Sequence, residues 1–271
     1  MSHPEERIRR FTARHIIHHA VMLVCFAGLV ATGLPQRYAA QTWAKGLVLV
    51  FGGVERTRAI HHFLGTVMAL QLVWHLIEAL WFHFVRRFEM PMLPLINDIR
   101  DFYQQVRFNL GLVAEPPQME RYTFAEKIEY LALVWGTVLM VMTGIILLFP
   151  VRFASLMAGE WIIAAKAAHG GEALLAFLSI LTWHAYFVHV RHWNTSIVNG
   201  LLEEEAYVEE HPLELQRIRR GEVQSPAPIS KWRLTVFVAA AAAVVGAVLL
   251  LLAWLRGRGI AIPTITAFRF G

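Results

Sequence analysis

Thirteen histidines mark this 271-residue chain, and several of them interrupt apolar runs. In "AAHGGEALLAFLSILTWHAYFVHVRHW" (Ala167–Trp193), His169, His184, His189 and His192 sit in or beside a stretch long enough to cross a bilayer. Ionisable side chains at that depth are costly and face a partner inside the bundle. At 100° per residue, the fifteen steps from His169 to His184 return to within about 60° of the starting direction, with a rise of roughly 22 Å. "RAIHHFLGTVMALQLVWHLIEALWF" (Arg58–Phe82) repeats the device. Its His61 and His75 are fourteen steps apart, about 40° off the other way and roughly 21 Å along the axis. Each helix therefore presents two imidazoles on one face, one near each side of the membrane.

Two tiers of neutral imidazoles in a dry bundle suit trans-axial ligation of haem iron. Six-coordinate iron has no open position, so such a site moves electrons and does not activate oxygen. The spans run parallel, so His61 and His169 share an outer level, and His75 and His184 an inner one. His19, counted back from Leu34, also falls at the inner level. Gly65, Gly136, Gly144, Gly170 and Gly171 permit close approach of a ring. Arg58, Arg152 and Lys166 fall at the outer level, where they could pair with haem propionates. A lone membrane-helix histidine is more often a packing residue. Same-face pairs at matched depth on two helices are what distinguish this chain.

The elements that must carry these residues follow from composition. The chain is 56% hydrophobic and only 17% charged, with the charges in blocks between apolar runs. That is the profile of an all-α polytopic membrane protein. A spanning helix needs about 20 apolar residues, and five runs qualify: Ile16–Leu34, Ile60–Phe84, Ile128–Phe149, Ala168–His192 and Leu234–Leu255. The expected organisation is a four-helix domain over 1–200, a charged cytoplasmic segment over 201–232, and a fifth helix with an outer tail over 233–271. The first run, which follows Arg7, Arg9, Arg10 and Arg14, reads as a retained anchor and not as a cleaved signal. Trp43–Val54 reads as an outer-surface segment broken at Gly52–Gly53, and "NDIRDFYQQVRFNLG" as an amphipathic cytoplasmic helix. No internal repeat stands out. Lys and Arg number four, six and six on one side against four, two and three on the other, which puts the N-terminus in the cytoplasm and the C-terminus outside.

The composition also excludes. The single cysteine, Cys25, allows no intrachain disulfide, no c-type haem attachment and no cysteine-ligated iron–sulfur cluster. The net charge of +5 belongs to membrane topology and needs no nucleic acid. There is no dinucleotide fingerprint and no phosphate loop. Two other classes compete with the electron carrier: a His-lined metal or proton transporter, which calls for mid-span acids and broken helices, and a purely structural anchor, which needs no same-face histidines.

At these residues the chain resembles the membrane di-haem cytochrome b superfamily of formate dehydrogenase gamma subunits and nickel–iron hydrogenase cytochrome b subunits. It most resembles members that accompany multihaem c-type cytochromes. The carrying residues, in order, are "RFT" (Arg10–Thr12), His19, Phe26, "TGLP" (Thr32–Pro35), "RAIH" ending at His61, and His75. There follow "YTFAEKIEY" (Tyr122–Tyr130), "TG" (Thr143–Gly144), "HGGEALLA" (His169–Ala176), His184 and His189. The likeness covers 7–215 and omits the last span. It implies four core helices holding two b haems, the outer on His61 and His169 and the inner on His19 and His184. His18 and His75 compete with His19, and a third haem would use His75 or His189. It further implies a bacterial cytoplasmic-membrane protein that exchanges electrons with menaquinone or ubiquinone. The outer partner would be a multihaem c-type cytochrome or an iron–sulfur dehydrogenase subunit. Quinone chemistry needs a titratable group near the inner haem. Glu78, one turn after His75, is the first candidate, ahead of Asp98 and Asp101; Glu172 reads as structural.

Overall fold

The structure is a computed structural model that describes residues 7–191, 193–222 and 225–256. His192 and the expected outer tail beyond residue 256 lie outside the described residues. Five helices are long and apolar enough to cross a membrane: Ala13–Arg37, Val54–Val85, Phe124–Leu148, Gly159–Arg191 and Lys231–Leu255. The chain is an all-α polytopic membrane protein. In chain order, β1 (Arg7–Arg9) precedes α1 (Ala13–Arg37), α2 (Thr42–Val50) and α3 (Val54–Leu80). Then come α4 (Ile96–Asn109), α5 (Phe124–Leu148), α6 (Pro150–Ala154), α7 (Gly159–Ser179) and α8 (Ser196–Asn199). β2 (Leu201–Glu203), α9 (Glu204–Glu210), α10 (Pro212–Arg219) and α11 (Lys231–Arg256) complete the chain. The spans begin three to nine residues before the apolar runs, while their ends fall within three residues of them, because capping residues and solvated charges extend the helix starts past the hydrocarbon.

α1 packs along α3 and α5 along α7, and the two hairpins close a ring through α1–α7 and α3–α5 contacts. α11 stands outside this ring, held by Trp81 against Phe237 (5.1 Å) and by Arg233 donating to the Phe84 carbonyl. The turn between α2 and α3 uses Gly52 (φ 86°) and Gly53 (φ 98°), a left-handed backbone that glycine adopts without a Cβ clash. α4 is anchored by its polar face: Lys127 Nζ reaches Asp98 Oδ1 at 2.7 Å, with both side chains buried. The α4 residues Ile96, Ile99, Tyr103 and Val106 are exposed on the other side, at helical spacing.

The two hairpins are copies of one another, which corrects the reading of the sequence as lacking a repeat. Arg10-Phe11-Thr12 opens α1 and Arg121-Tyr122-Thr123 opens α5, and each threonine is the N-cap. The third residue of each helix, His15 or Glu126, reaches back to that threonine in a reciprocal cap. Twenty residues after each cap comes Thr-Gly: Thr32-Gly33 and Thr143-Gly144. On the second helices His61 corresponds to His169 and His75 to His184. The spacing differs, fourteen against fifteen, because Ile180–His184 is a wider π-type turn. Such a turn absorbs one extra residue, which brings His184 back into the register of His75.

The charged segment after the fourth span is built into the bundle's end. β1 pairs antiparallel with β2, Ile8 opposite Leu202. Leu202, Tyr207 and Leu215 form a small core under Ile8. Arg10, 5% exposed, joins Glu126 Oε1 (2.8 Å) and lies over the Phe11, Tyr122 and Tyr207 rings. His211, 1% exposed, donates from Nδ1 to the Glu120 carbonyl at 3.0 Å. Burial, with Arg10 beside it, lowers the His211 pKa to about 4. Between the ordinary value of 6.5 and 4, the unfolded segment binds a proton that the folded one does not. Stability is therefore full above pH 6.5 and falls as the pH drops toward 4, by roughly 3 kcal/mol in all. Hydrogen exchange over Leu201–Arg219 should accelerate across that window, and His211→Gln should flatten the dependence.

Candidate functional site

The first level is made by α3 and α7, which stand diagonally across the ring. The His61 and His169 rings face each other with centroids 6.3 Å apart. Their Nδ1 atoms point away, His61 Nδ1 to Thr32 Oγ1 and His169 Nδ1 to Thr143 Oγ1, both at 2.9 Å. A threonine hydroxyl has one proton. Thr32 gives its proton to the Gly28 carbonyl and Thr143 to the Leu139 carbonyl, each at 2.7 Å. The oxygens can then only accept, so each histidine carries its proton on Nδ1. The Nε2 lone pairs of both rings, whose centroids are 6.3 Å apart, are thereby left free. The hairpin repeat builds this arrangement twice from the same Thr-Gly pair.

The glycines explain how the rings fit. A Cβ on Gly33 would stand 2.9 Å from His61 Cε1, and one on Gly144 3.4 Å from His169 Cε1. Gly136 accommodates the Glu172 carboxylate, 2.6 Å from where a Cβ would be. Gly65 has only Leu29 in reach, at 3.9 Å, and Gly171 faces open space.

The second level joins α1 to α7. The His19 and His184 rings lie 6.4 Å apart, inclined by 32°. Glu129 Oε2 stands 3.2 Å from His184 Nδ1. A carboxylate accepts from Nδ1–H, leaves Nε2 free and raises its basicity, as outer-shell carboxylates do for metal-bound histidine. His75 is placed differently. Its Nε2 is 2.7 Å from the Tyr130 hydroxyl, and its ring lies 6.3 Å from that of His18. Glu78 pairs with Arg14 (2.9 Å) and with His18 Nε2 (3.4 Å). His189 is exposed and packs on Trp193.

The pairs can be tested against haem. Metal–imidazole bonds are about 2 Å long, so two rings trans on one ion sit with nitrogens ~4 Å apart and centroids about 6 Å apart. Both pairs have that separation, and three of the four Nδ1 atoms have acceptors that free the opposite nitrogen. Among the described residues no three His, Cys, Asp or Glu side chains converge on a point that would hold an ion. Two imidazoles alone leave an octahedral cation four ligands short, the number a porphyrin supplies. At the first level Arg152 has Nε and one terminal nitrogen buried without a partner, and the Arg37 guanidinium lies against Gly170, next to His169. Buried unpartnered guanidinium nitrogens suit an anionic group. Arg58, by contrast, is more than half exposed and pairs with Glu55, and Lys166 is exposed.

Thr32, Thr143, Glu129, Tyr130 and Arg37 are the site residues that a reading of spacing alone passes over. Their signal is the twenty-residue interval from RxT to TG, present in both halves.

The chain matches no protein-family model. Over 216 residues, covering 79% of the chain and 95% of the relative, it is 24% identical to the formate dehydrogenase cytochrome b556(fdo) subunit of Escherichia coli strain K12. The corresponding subunits of strains O6:H1 and O157:H7 match to the same extent. The likeness is distant, and it covers nearly the whole length of that subunit.

Proposed function

We propose that this protein is the membrane-integral b-type cytochrome subunit of an oxidoreductase complex. It passes electrons between a quinone pool and a redox partner on the outer face of a bacterial cytoplasmic membrane. The observation that carries the reading is the His61–His169 pair, with ring centroids 6.3 Å apart and with Thr32 and Thr143 engaging both Nδ1 atoms, which leaves both Nε2 atoms free. The distant likeness to a cytochrome b556 subunit supports it.

His61 and His169 would hold the outer haem, and His19 and His184 the inner one. Haem b, when bound, would supply a one-electron iron couple. The chain's own residues do the rest. Thr32, Thr143 and Glu129 fix the imidazole tautomers, and Arg37 and Arg152 offer cationic nitrogens to propionates. The apolar spans exclude water, which keeps the site electron-carrying. The Lys and Arg distribution supports an inside N-terminus. The outer partner is a multihaem c-type cytochrome or an iron–sulfur dehydrogenase subunit, and the quinone is menaquinone or ubiquinone.

The decisive measurement is haem content with a dithionite-reduced spectrum of the purified chain. Two haems per chain with sharp low-spin b bands are expected, and a colourless, folded preparation would sink the reading. Glu78 is the proposed proton-handling group of the quinone reaction, tied by Arg14 to the end of α1. Glu78→Gln should slow quinol oxidation by roughly 10²-fold, the scale of a lost acid–base group, with both haems retained. A wild-type rate removes Glu78 from that role.

A further inference from the structure

The twofold relation between the hairpins gives the His19–His184 pair a counterpart. Thirteen residues before Thr32 stands His19, and thirteen before Thr143 stands Tyr130. His184 corresponds to His75. The counterpart of two facing imidazoles is therefore Tyr130 with His75, hydroxyl to Nε2 at 2.7 Å, rings 5.7 Å apart and nearly perpendicular. His75 Nε2, the nitrogen an iron would need, is already engaged by a neutral phenol. One side of the ring of helices thus carries a ligand pair, and the opposite side a hydrogen-bonding pair of the same ancestry.

Three features show what that second pair could bond. Gln71 lies one turn before His75 on the same face of α3; its amide nitrogen donates to the His18 carbonyl at 2.6 Å, while its Oε1 is buried with no partner. A buried acceptor left unpaired is expensive. It marks where a hydroxyl donor from outside the chain would bond. The phenol has one proton: with His75 Nε2–H donating to the Tyr130 oxygen, that proton is left for a carbonyl oxygen. Trp74 (62% exposed) and Leu131 (48%), the chain neighbours of His75 and Tyr130, lie on the lipid-facing outside of the bundle. A ring with an apolar tail therefore meets the pair from the hydrocarbon side. On its other side lie Glu78, Arg14 and His18, linked by ion pairs.

We propose that Tyr130, His75 and Gln71 form the hydrogen-bonding seat of the quinone head group, on the opposite side of the bundle from the His19–His184 pair. The assignment rests on the quinone reading above and names its residues. A site with one donor and one free acceptor binds both forms of a quinone. The oxidised carbonyl accepts from the Tyr130 hydroxyl, which His75 Nε2–H holds in place, and the reduced hydroxyl donates to Gln71 Oε1. The neighbouring His18 places the seat one residue along α1 from His19.

The test uses the full, haem-loaded chain in lipid nanodiscs, titrated with 2-methyl-1,4-naphthoquinone and with decyl-1,4-benzoquinone. Binding is read by tryptophan quenching, and haem content and reduced spectra are recorded on the same samples. Tyr130→Phe, which removes only the hydroxyl, and His75→Gln should each weaken quinone binding about tenfold, the scale of one lost hydrogen bond. Haem content should stay at the wild-type value in both. Wild-type affinity in both variants overturns the assignment, as does loss of a haem from His75→Gln, which would make His75 an iron ligand. A wild-type chain that carries haem but binds neither quinone also overturns it, while leaving the electron-carrying reading intact. A wild-type chain without b-type absorption instead removes that reading itself.

Discussion

His61→Ala is expected to lower the haem content of the purified chain from the proposed two per chain to one, and His169→Ala to remove the same haem. Either change would leave that haem with one of its two proposed protein ligands, and the described residues offer no third side chain to replace it. The double variant should lose no more than either single, because both act on one site. His62→Ala and His189→Ala are the internal controls. Both residues are exposed neighbours of the pairs, and both haems should remain. Thr32→Val separates ligation from orientation. It keeps His61 but removes the hydroxyl oxygen that accepts its Nδ1 proton, and affinity for the outer haem should fall by roughly 10- to 100-fold, as for other outer-shell partners. Haem content at limiting haem reads this loss even where saturating haem masks it. Two haems in His61→Ala would mean that His61 is not a ligand.

Much of the architecture is legible in the sequence because hydrocarbon thickness is a blunt constraint. Five apolar runs of spanning length give five spanning helices, displaced only at their ends. Same-face histidines are legible for the same reason, since 3.6-residue periodicity survives whatever the neighbours do. Azimuth around the bundle is another matter. Depth alone leaves His18, His19 and His75 level with His184, and only packing sets their neighbours: His19 lies beside His184, while His75 meets Tyr130. The fifteen-residue spacing in α7 becomes equivalent to fourteen only through a π-type turn, which carries no obvious sequence signature. Thr32 and Thr143 hide because membrane-helix threonines commonly bond their own preceding turn. Here they do that and accept from histidine as well. The repeat hides because its two halves differ at the positions that matter most, His19 against Tyr130 and His18 against Glu129. Arg37 hides because it lies before the α2 segment in sequence, yet meets Gly170 in space.

Lys127→Ala is expected to be the most destabilising change away from the histidines, by about 3–5 kcal/mol. Lys127 Nζ and Asp98 Oδ1 are 2.7 Å apart, with side chains only 6% and 11% exposed. Deleting the ammonium strands a carboxylate that has no water to replace it. Asp98 cannot swing out cheaply, because its other oxygen accepts the Leu95 N–H that begins α4. The loss therefore unseats α4 from the start of α5, two residues before Glu129, whose carboxylate orients His184. Lys127→Ala should accordingly lower the thermal midpoint and weaken the inner haem before the outer one, so that reduced-spectrum loss on heating becomes biphasic. The paired variant Asp98→Leu with Lys127→Met should recover most of the stability, since two apolar side chains of similar volume need no partner charge. A single, unshifted transition in Lys127→Ala would show that α4 does not support the inner site. Recovery in the paired variant would establish that the cost lies in the orphaned charge and not in lost packing.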